Sequence, residues 1–199
     1  MRALIALLLL CASFERRADV PSAFVADETS ALHNARDRAV LIYPRERPWF
    51  RRVFYTPHQR ALVRDLGARY DVTVHKQIAS DDALFAVDVD GAKLLVISGH
   101  GDPYSIYMNR RNRRTLDHTD RARLAAFFAR LDPEATIVLQ SCRTGLGFAH
   151  LVKEAAGPAR RVIAARGIVP WNGLRITSLT PFDASIRCKE GDDCTVRLQ

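Results

Sequence analysis

Four short runs, Ala39-Val40-Leu41-Ile42-Tyr43, Leu94-Leu95-Val96-Ile97, Ile137-Val138-Leu139 and Val162-Ile163-Ala164-Ala165, are apolar at every position rather than at alternate ones. A strand with one wet face alternates, so an unbroken run asks for cover on both faces, the condition of a strand in a parallel sheet. The intervening segments carry helical spacing. Thr56-Pro57 supplies an N-cap and a first-turn proline, Leu62, Val63 and Leu66 follow on one face, and Gly67 marks the stop. Val72-Thr73-Val74 reads as another strand, and Asp81 to Val87 as one or two helical turns. Leu124, Phe127, Phe128 and Leu131 make a core-facing stripe on a helix predicted from about Thr119 to Leu131, which Asp132-Pro133 ends. Phe148, Leu151, Val152, Ala155 and Ala156 do the same over Gly145 to Gly157. Strands alternating with helices predict parallel βαβ units with right-handed crossovers. The expected fold is α/β, a three-layer sandwich around a mostly parallel central sheet, degrading beyond Pro170 into loop and a terminal hairpin.

The chain has 199 residues, enough for one domain with a real core. Its 48% apolar and 26% charged residues are ordinary globular composition, which argues against disorder for most of the length. The division expected is a signal peptide over 1–13, a variable segment over 14–38 and the α/β domain over 39–199. Met1-Arg2, the apolar stretch Ala3 to Ala12 and small residues around Cys11 and Ser13 have the layout of a secretory leader. The stretch is too short to span a membrane, so no stable span is expected after its removal. A secreted or periplasmic destination follows. Leu8-Leu9-Leu10-Cys11 half resembles a lipoprotein box, and an apolar first strand is the plainer alternative. The formal charge of +8, carried mainly by arginine, suits either a solvated basic surface or attraction to polyanions. No nucleic-acid-binding signature accompanies it, and no nucleic-acid partner is expected.

Export changes the cysteine arithmetic. Without the leader, Cys142, Cys188 and Cys194 remain. Cys188 and Cys194 flank a turn-rich Lys-Glu-Gly-Asp-Asp segment, and a bridge between them would close a tight hairpin in an oxidising compartment. Cys142 is then a lone thiol, either a nucleophile or a buried inert side chain.

His100 follows the run ending in Ser98-Gly99, and Cys142 follows the run ending in Gln140-Ser141. If these strands are neighbours, imidazole and thiol project into one crevice at the carboxyl ends of a parallel sheet, where ligands collect. A thiol becomes a strong nucleophile on losing its proton, which a nearby imidazole or a helix N-terminus promotes. A helix starting near Gly145 would turn its positive end toward Cys142. Gly99 and Gly101, like Gly145 and Gly147, allow tight turns that leave backbone N–H groups for a developing oxyanion.

Ile97-Ser98-Gly99-His100-Gly101-Asp102 and Leu139-Gln140-Ser141-Cys142-Arg143-Thr144-Gly145 resemble the histidine and cysteine blocks of the caspase-like cysteine peptidases, a superfamily including caspases, metacaspases, gingipains, separase and CHAT-type domains. The second block is similar to the caspase Gln-Ala-Cys-Arg-Gly pattern, with a His-to-Cys interval slightly shorter than the roughly 50 residues typical there. Thr144 is inserted before Gly145, and the Ser-Cys-Arg-Thr-Gly form looks more like bacterial CHAT and related domains. The resemblance spans about Ala39 to Ala165. It implies His100 as general base and acid, Cys142 as nucleophile, the amides of Gly101 and Cys142 as oxyanion hole, and Gln140 in the primary specificity pocket. Asp102 is a further candidate, to meet substrate, to orient His100 or to face solvent.

His33, His58, His75, His118 and His150 lack the pairing of a zinc site, and neither a metal nor another cofactor is implied. Arg110-Arg111-Asn112-Arg113-Arg114 reads as a solvated loop, a dibasic maturation cut or a contact to an anionic partner. Trp171-Asn172-Gly173 packs on the core or walls the cleft. The function expected is a cysteine endopeptidase acting on peptides or proteins, with no oligomeric state specified. The rivals are an inactive relative that binds a peptide or protein at the same crevice and a basic secreted polyanion binder.

Overall fold

A computed structural model of the chain describes residues 36–46, 56–109 and 115–199. The expected leader, the 14–38 segment up to residue 35 and the Arg110–Arg114 loop lie outside the described residues. The first strand, β1 (Asp37–Pro44), leads to α1 (Thr56–Leu66), β2 (Tyr70–Ile78), α2 (Asp81–Phe85) and β3 (Leu94–Ser98). Next come three short strands, β4 (His100–Gly101), β5 (Ile106–Tyr107) and β6 (Thr115–Leu116), which pair antiparallel as a separate small sheet. A 3-10 turn at His118–Asp120 feeds α3 (Arg121–Ala129), then β7 (Thr136–Gln140), a second 3-10 turn at Thr144–Leu146, α4 (Phe148–Ala156) and β8 (Arg161–Ala165). The hairpin β9 (Leu174–Leu179) and β10 (Phe182–Ile186) and the final strand β11 (Thr195–Leu198) complete the order.

The central sheet has six strands in the order β2-β1-β3-β7-β8-β11, all parallel except β11, which runs antiparallel to β8. The unbroken apolar runs are its middle, and every residue of β3 and β7 is buried. Successive side chains leave a strand on opposite faces, so each run feeds two cores. Val40, Ile42, Leu95, Ile97, Ile137 and Leu139 meet Leu84, Leu124, Phe127, Phe128, Phe148 and Val152 from α2, α3 and α4. Ala39, Leu41, Tyr43, Leu94, Val96 and Val138 meet Leu62 and Leu66 of α1 and Leu174, Phe182, Ala184 and Ile186 of the hairpin. The fold is thus α/β with three layers and a mostly parallel sheet, as the runs predict. The second face is covered by the helix expected after Thr56 and by a β-hairpin over Leu174–Ile186, where the sequence reads as loop ahead of a terminal hairpin.

One further difference bears on the site. The helix expected from Gly145 starts at Phe148, after the 3-10 turn. As expected, Cys188 and Cys194 are disulfide-bonded, and Cys142 is free. The bridged loop lies along the chain that follows β8, with the Arg166 amide donating to the Cys194 carbonyl (3.0 Å) and the Lys189 amide to the Ile168 carbonyl (2.8 Å). A methyl group at Gly167 would collide with the Cys188 sulfur, so only glycine lets the loop dock this closely. No helix among the described residues is long and apolar enough to cross a membrane.

Candidate active site

The register of the sheet brings His100 and Cys142 together. β3 pairs with β7 so that Ser98 faces Gln140. His100 lies two residues beyond Ser98 and Cys142 two beyond Gln140, so both emerge at the same level of one rim, the carboxyl ends of adjacent parallel strands. Gly101 then closes the gap between the two loops. A Cβ placed there would fall 2.9 Å from the Cys142 carbonyl oxygen and 3.0 Å from Ser141 Cβ and Thr144 Cγ2, inside contact distance. Here close approach, not a special φ, demands glycine. His100 and Cys142 line one cavity of about 340 Å³, together with segments 98–99, 140–141 and 168–171 and Lys189.

His100 is held by a residue that sequence reasoning missed. Its Nε2 lies 2.6 Å from Glu46 Oε1, and the Glu46 side chain is only 8% exposed. Glu46 stands just past β1, the neighbour of β3 on the side away from β7. The preceding amide, of Arg45, donates both to the Ile78 carbonyl (2.7 Å) and to the Met108 carbonyl (3.1 Å), which fixes the exit of β1 between β2 and the end of β5. An ionised carboxylate only accepts hydrogen bonds, so the hydrogen of this pair sits on His100 Nε2, and in a neutral ring Nδ1 is the basic nitrogen. The ring also stands edge-on to Trp171, centroids 6.0 Å apart at 89°. Three successive strand ends, β1, β3 and β7, therefore present Glu46, His100 and Cys142 in that order.

Backbone holds Cys142. The Val169 amide, in the segment after β8, donates to its sulfur at 3.4 Å, and the Val169 carbonyl lies 4.0 Å from the same atom. The next residue, Arg143, has φ 59°, a left-handed conformation uncommon outside glycine, asparagine and aspartate. That turn sends the Arg143 amide to the Gly167 carbonyl (2.9 Å) and starts the 3-10 turn. The helix-dipole expectation needs correction accordingly: α4 begins six residues beyond Cys142, and the Phe148 amide at its start donates to the Pro103 carbonyl at 2.6 Å. No hydrogen bond joins Cys142 to His100 among the described residues.

The other candidates divide. Gln140 lines the cavity, but its amide is committed: Oε1 accepts from Ser98 Oγ (2.8 Å), and Nε2 donates to the Trp171 carbonyl (3.1 Å) and meets His58 Nε2 at 3.2 Å. It braces the floor and the Trp171 wall. His58, set aside on spacing alone, thus belongs to the support of the site; burial pushes its pKa down, which keeps the ring neutral and able to accept from Gln140. Asp102 turns away from the cavity. Its carboxylate accepts from Tyr107 Oη, from Ser105 Oγ (3.0 Å) and from the Tyr104 amide (2.8 Å), so it shapes the turn between β4 and β5. Burial pushes the Asp102 pKa up, but the hydrogen bonds from Tyr107, Tyr104 and Ser105 outweigh it, and the net direction is down. Of the oxyanion-hole candidates, Cys142 lines the cavity and Gly101 does not, while Gly99 does. Trp171 both lines the cavity and packs against the second core.

No family model matches the sequence, and no curated protein is similar to it. Among solved structures, caspase-1 from Spodoptera frugiperda is similar at 13% identity with a TM-score of 0.39; the match covers 69% of this chain and 62% of that one, less than two thirds of its length. The chemistry of the site rests on the geometry above rather than on that likeness.

Proposed function

We propose that this chain is a cysteine peptidase of the caspase-like group, acting on peptide or protein substrates. The observation that carries the reading is the succession of Glu46, His100 and Cys142 across three adjacent parallel strand ends, the last two lining one cavity. The motif resemblance of the two blocks supports it independently. His100 accepts the Cys142 proton as the sulfur bonds to the scissile carbonyl carbon, and neighbouring backbone amides receive the oxyanion. Collapse of the tetrahedral adduct breaks the C–N bond, with the leaving amine taking the proton from His100. Water, deprotonated by the same ring, then hydrolyses the thioester and returns the thiol. Glu46 accepts from Nε2–H throughout, which leaves Nδ1 to take and return the proton; it touches no reacting atom.

A second reading, a peptide-binding module without turnover, draws on one specific feature: the sulfur is engaged with Val169 and the ring with Glu46, not with each other. Incubating the purified chain with a mixed peptide library and identifying new termini by mass spectrometry separates the two. Cleavage by wild type that disappears in Cys142→Ala and His100→Ala supports the peptidase. Cleavage that survives in Cys142→Ala, or none in wild type beside measurable peptide binding, rejects it.

A further inference from the structure

Gln140 joins the floor of the Cys142 cavity to a second hollow in the molecule. His58 stands in the first turn of α1, with its Nε2 3.2 Å from Gln140 Nε2. The same residue lines a separate cleft of about 500 Å³ between α1 and β9. Leu62 of α1 and Leu174, Ile176 and Leu179 of β9 give that cleft apolar walls. Tyr70 Oη donates to the Leu179 carbonyl at 3.4 Å, which fastens the far end of β9 to the start of β2. Its size and its apolar walls with few polar groups are those of a small-molecule site.

The polar groups narrow the occupant. They are His58, Asp65 and Arg175. Asp65 already has a cation, Arg64 Nη2 at 2.8 Å. Arg175 is exposed and makes no ion pair among the described residues. Hydrogen bonding fixes the proton of His58. Gln140 Oε1 accepts from Ser98 Oγ, and its Nε2 donates to the Trp171 carbonyl, so Nε2 is the donor end that meets the ring. His58 Nε2 must accept, and the neutral ring therefore carries its hydrogen on Nδ1. That Nδ1–H has no hydrogen-bond partner among the described residues. A guanidinium and a ring N–H, both unused, beside apolar walls suit an anion with a hydrocarbon tail.

We propose that the α1–β9 cleft binds a small aliphatic carboxylate, its head group on Arg175 and His58 and its tail on Leu62, Ile176 and Leu179, and that occupancy is felt at Cys142. A carboxylate accepting from Nδ1–H holds the ring in the tautomer that Gln140 needs. Gln140 then keeps the Trp171 carbonyl and steadies the 168–171 segment, whose Val169 amide donates to the Cys142 sulfur at 3.4 Å. Occupancy favours this braced arrangement and shields the thiol from an added electrophile. Binding and alkylation are both read without turnover, so the proposal stands apart from the peptidase reading.

Isothermal titration of the full-length protein at neutral pH compares octanoate with octan-1-ol, octylammonium and acetate. Octanoate is expected to bind at least tenfold tighter than each of the others. The exposed substitution Arg175→Gln weakens octanoate about tenfold, the scale of a hydrogen bond to a charged group, and leaves octan-1-ol unchanged. Saturating octanoate slows iodoacetamide alkylation of Cys142, followed by mass spectrometry of its peptide, about fivefold, the low end of coupling between sites. His58→Phe abolishes that slowing while still binding octan-1-ol. Equal binding of octanoate and octan-1-ol, a preference for octylammonium, no binding of any probe, or an Arg175→Gln variant that binds octanoate like wild type would overturn the site. Octanoate binding with an unchanged alkylation rate, or slowing that persists in His58→Phe, would overturn the link to Cys142.

Discussion

Cys142 is set by backbone close to it in the fold: a left-handed Arg143, a glycine-lined turn and the main chain of Gly167 and Val169 across from it. His100 is set by a side chain 54 residues away, Glu46, which reaches it because β1 and β3 are neighbours. Main-chain positioning survives most side-chain changes nearby. A carboxylate that fixes a tautomer has no redundancy, and an isosteric amide removes its charge while keeping its shape. The imidazole is therefore the more fragile half of the pair.

Glu46→Gln probes that fragility first. Turnover is expected to fall roughly 100-fold, toward the mild end of the 10⁴ loss seen when a triad carboxylate becomes an amide. Glu46→Asp should restore part of it, and the lower limb of the kcat/KM–pH profile should move in Glu46→Gln, which a purely structural loss would not cause. Unchanged rates in Glu46→Gln would erase the distinction between the two halves.

The cysteine side is challenged through its wall. Replacing Cys188 and Cys194 with serine releases the loop under Gly167, and closing a loop this short contributes about 2 kcal/mol. Thermal melting should drop by roughly 4–8 °C at 2–4 °C per kcal/mol. Gly167→Ala leaves the bridge but forces it away, at a cost of about 1–2 kcal/mol by the usual scale of overpacking. Calorimetry at neutral pH measures both. A melting point indistinguishable from wild type in either would show that the Val169 wall does not lean on the bridged loop.

The smallest effect concerns His58. Burial holds its pKa below the ordinary 6.5, so on acidification the unfolded chain takes up this proton before the folded one does. That contribution to stability is complete above pH 6.5 and is lost as pH falls below it, until the folded group also protonates. Protonated His58 cannot accept from Gln140. The melting temperature of wild type should decline more between pH 7 and 5 than that of His58→Asn; parallel curves would remove His58 from the floor of the site.

Much of this was legible beforehand, for identifiable reasons. Runs such as Leu94–Ile97 announce a two-sided strand, and His100 and Cys142 stand right after two of them, so their placement needed only the β3–β7 adjacency. Glu46 left no such mark: it lies beyond β1 in a mixed stretch, and its partner is defined by strand order, which spacing does not encode. The hairpin was readable in principle. Leu174-Arg175-Ile176 and Phe182-Asp183-Ala184-Ser185-Ile186 alternate with period two, and the second is buried at each odd place. α4 starts at Phe148 rather than near Gly145 because Gly145 falls within a 3-10 turn, reached through left-handed Arg143, that Gly147 closes.

Intact-protein mass spectrometry after mixing with one equivalent of a peptidyl 4-nitrophenyl ester addresses the shared chemistry of thiol and imidazole. A transient acyl adduct, mapped to Cys142 and cleared quickly by wild type but formed and cleared far more slowly by His100→Ala, is the outcome this site requires. Acylation elsewhere, or equal kinetics in the two proteins, would mean that ring and sulfur share a cavity without sharing a reaction.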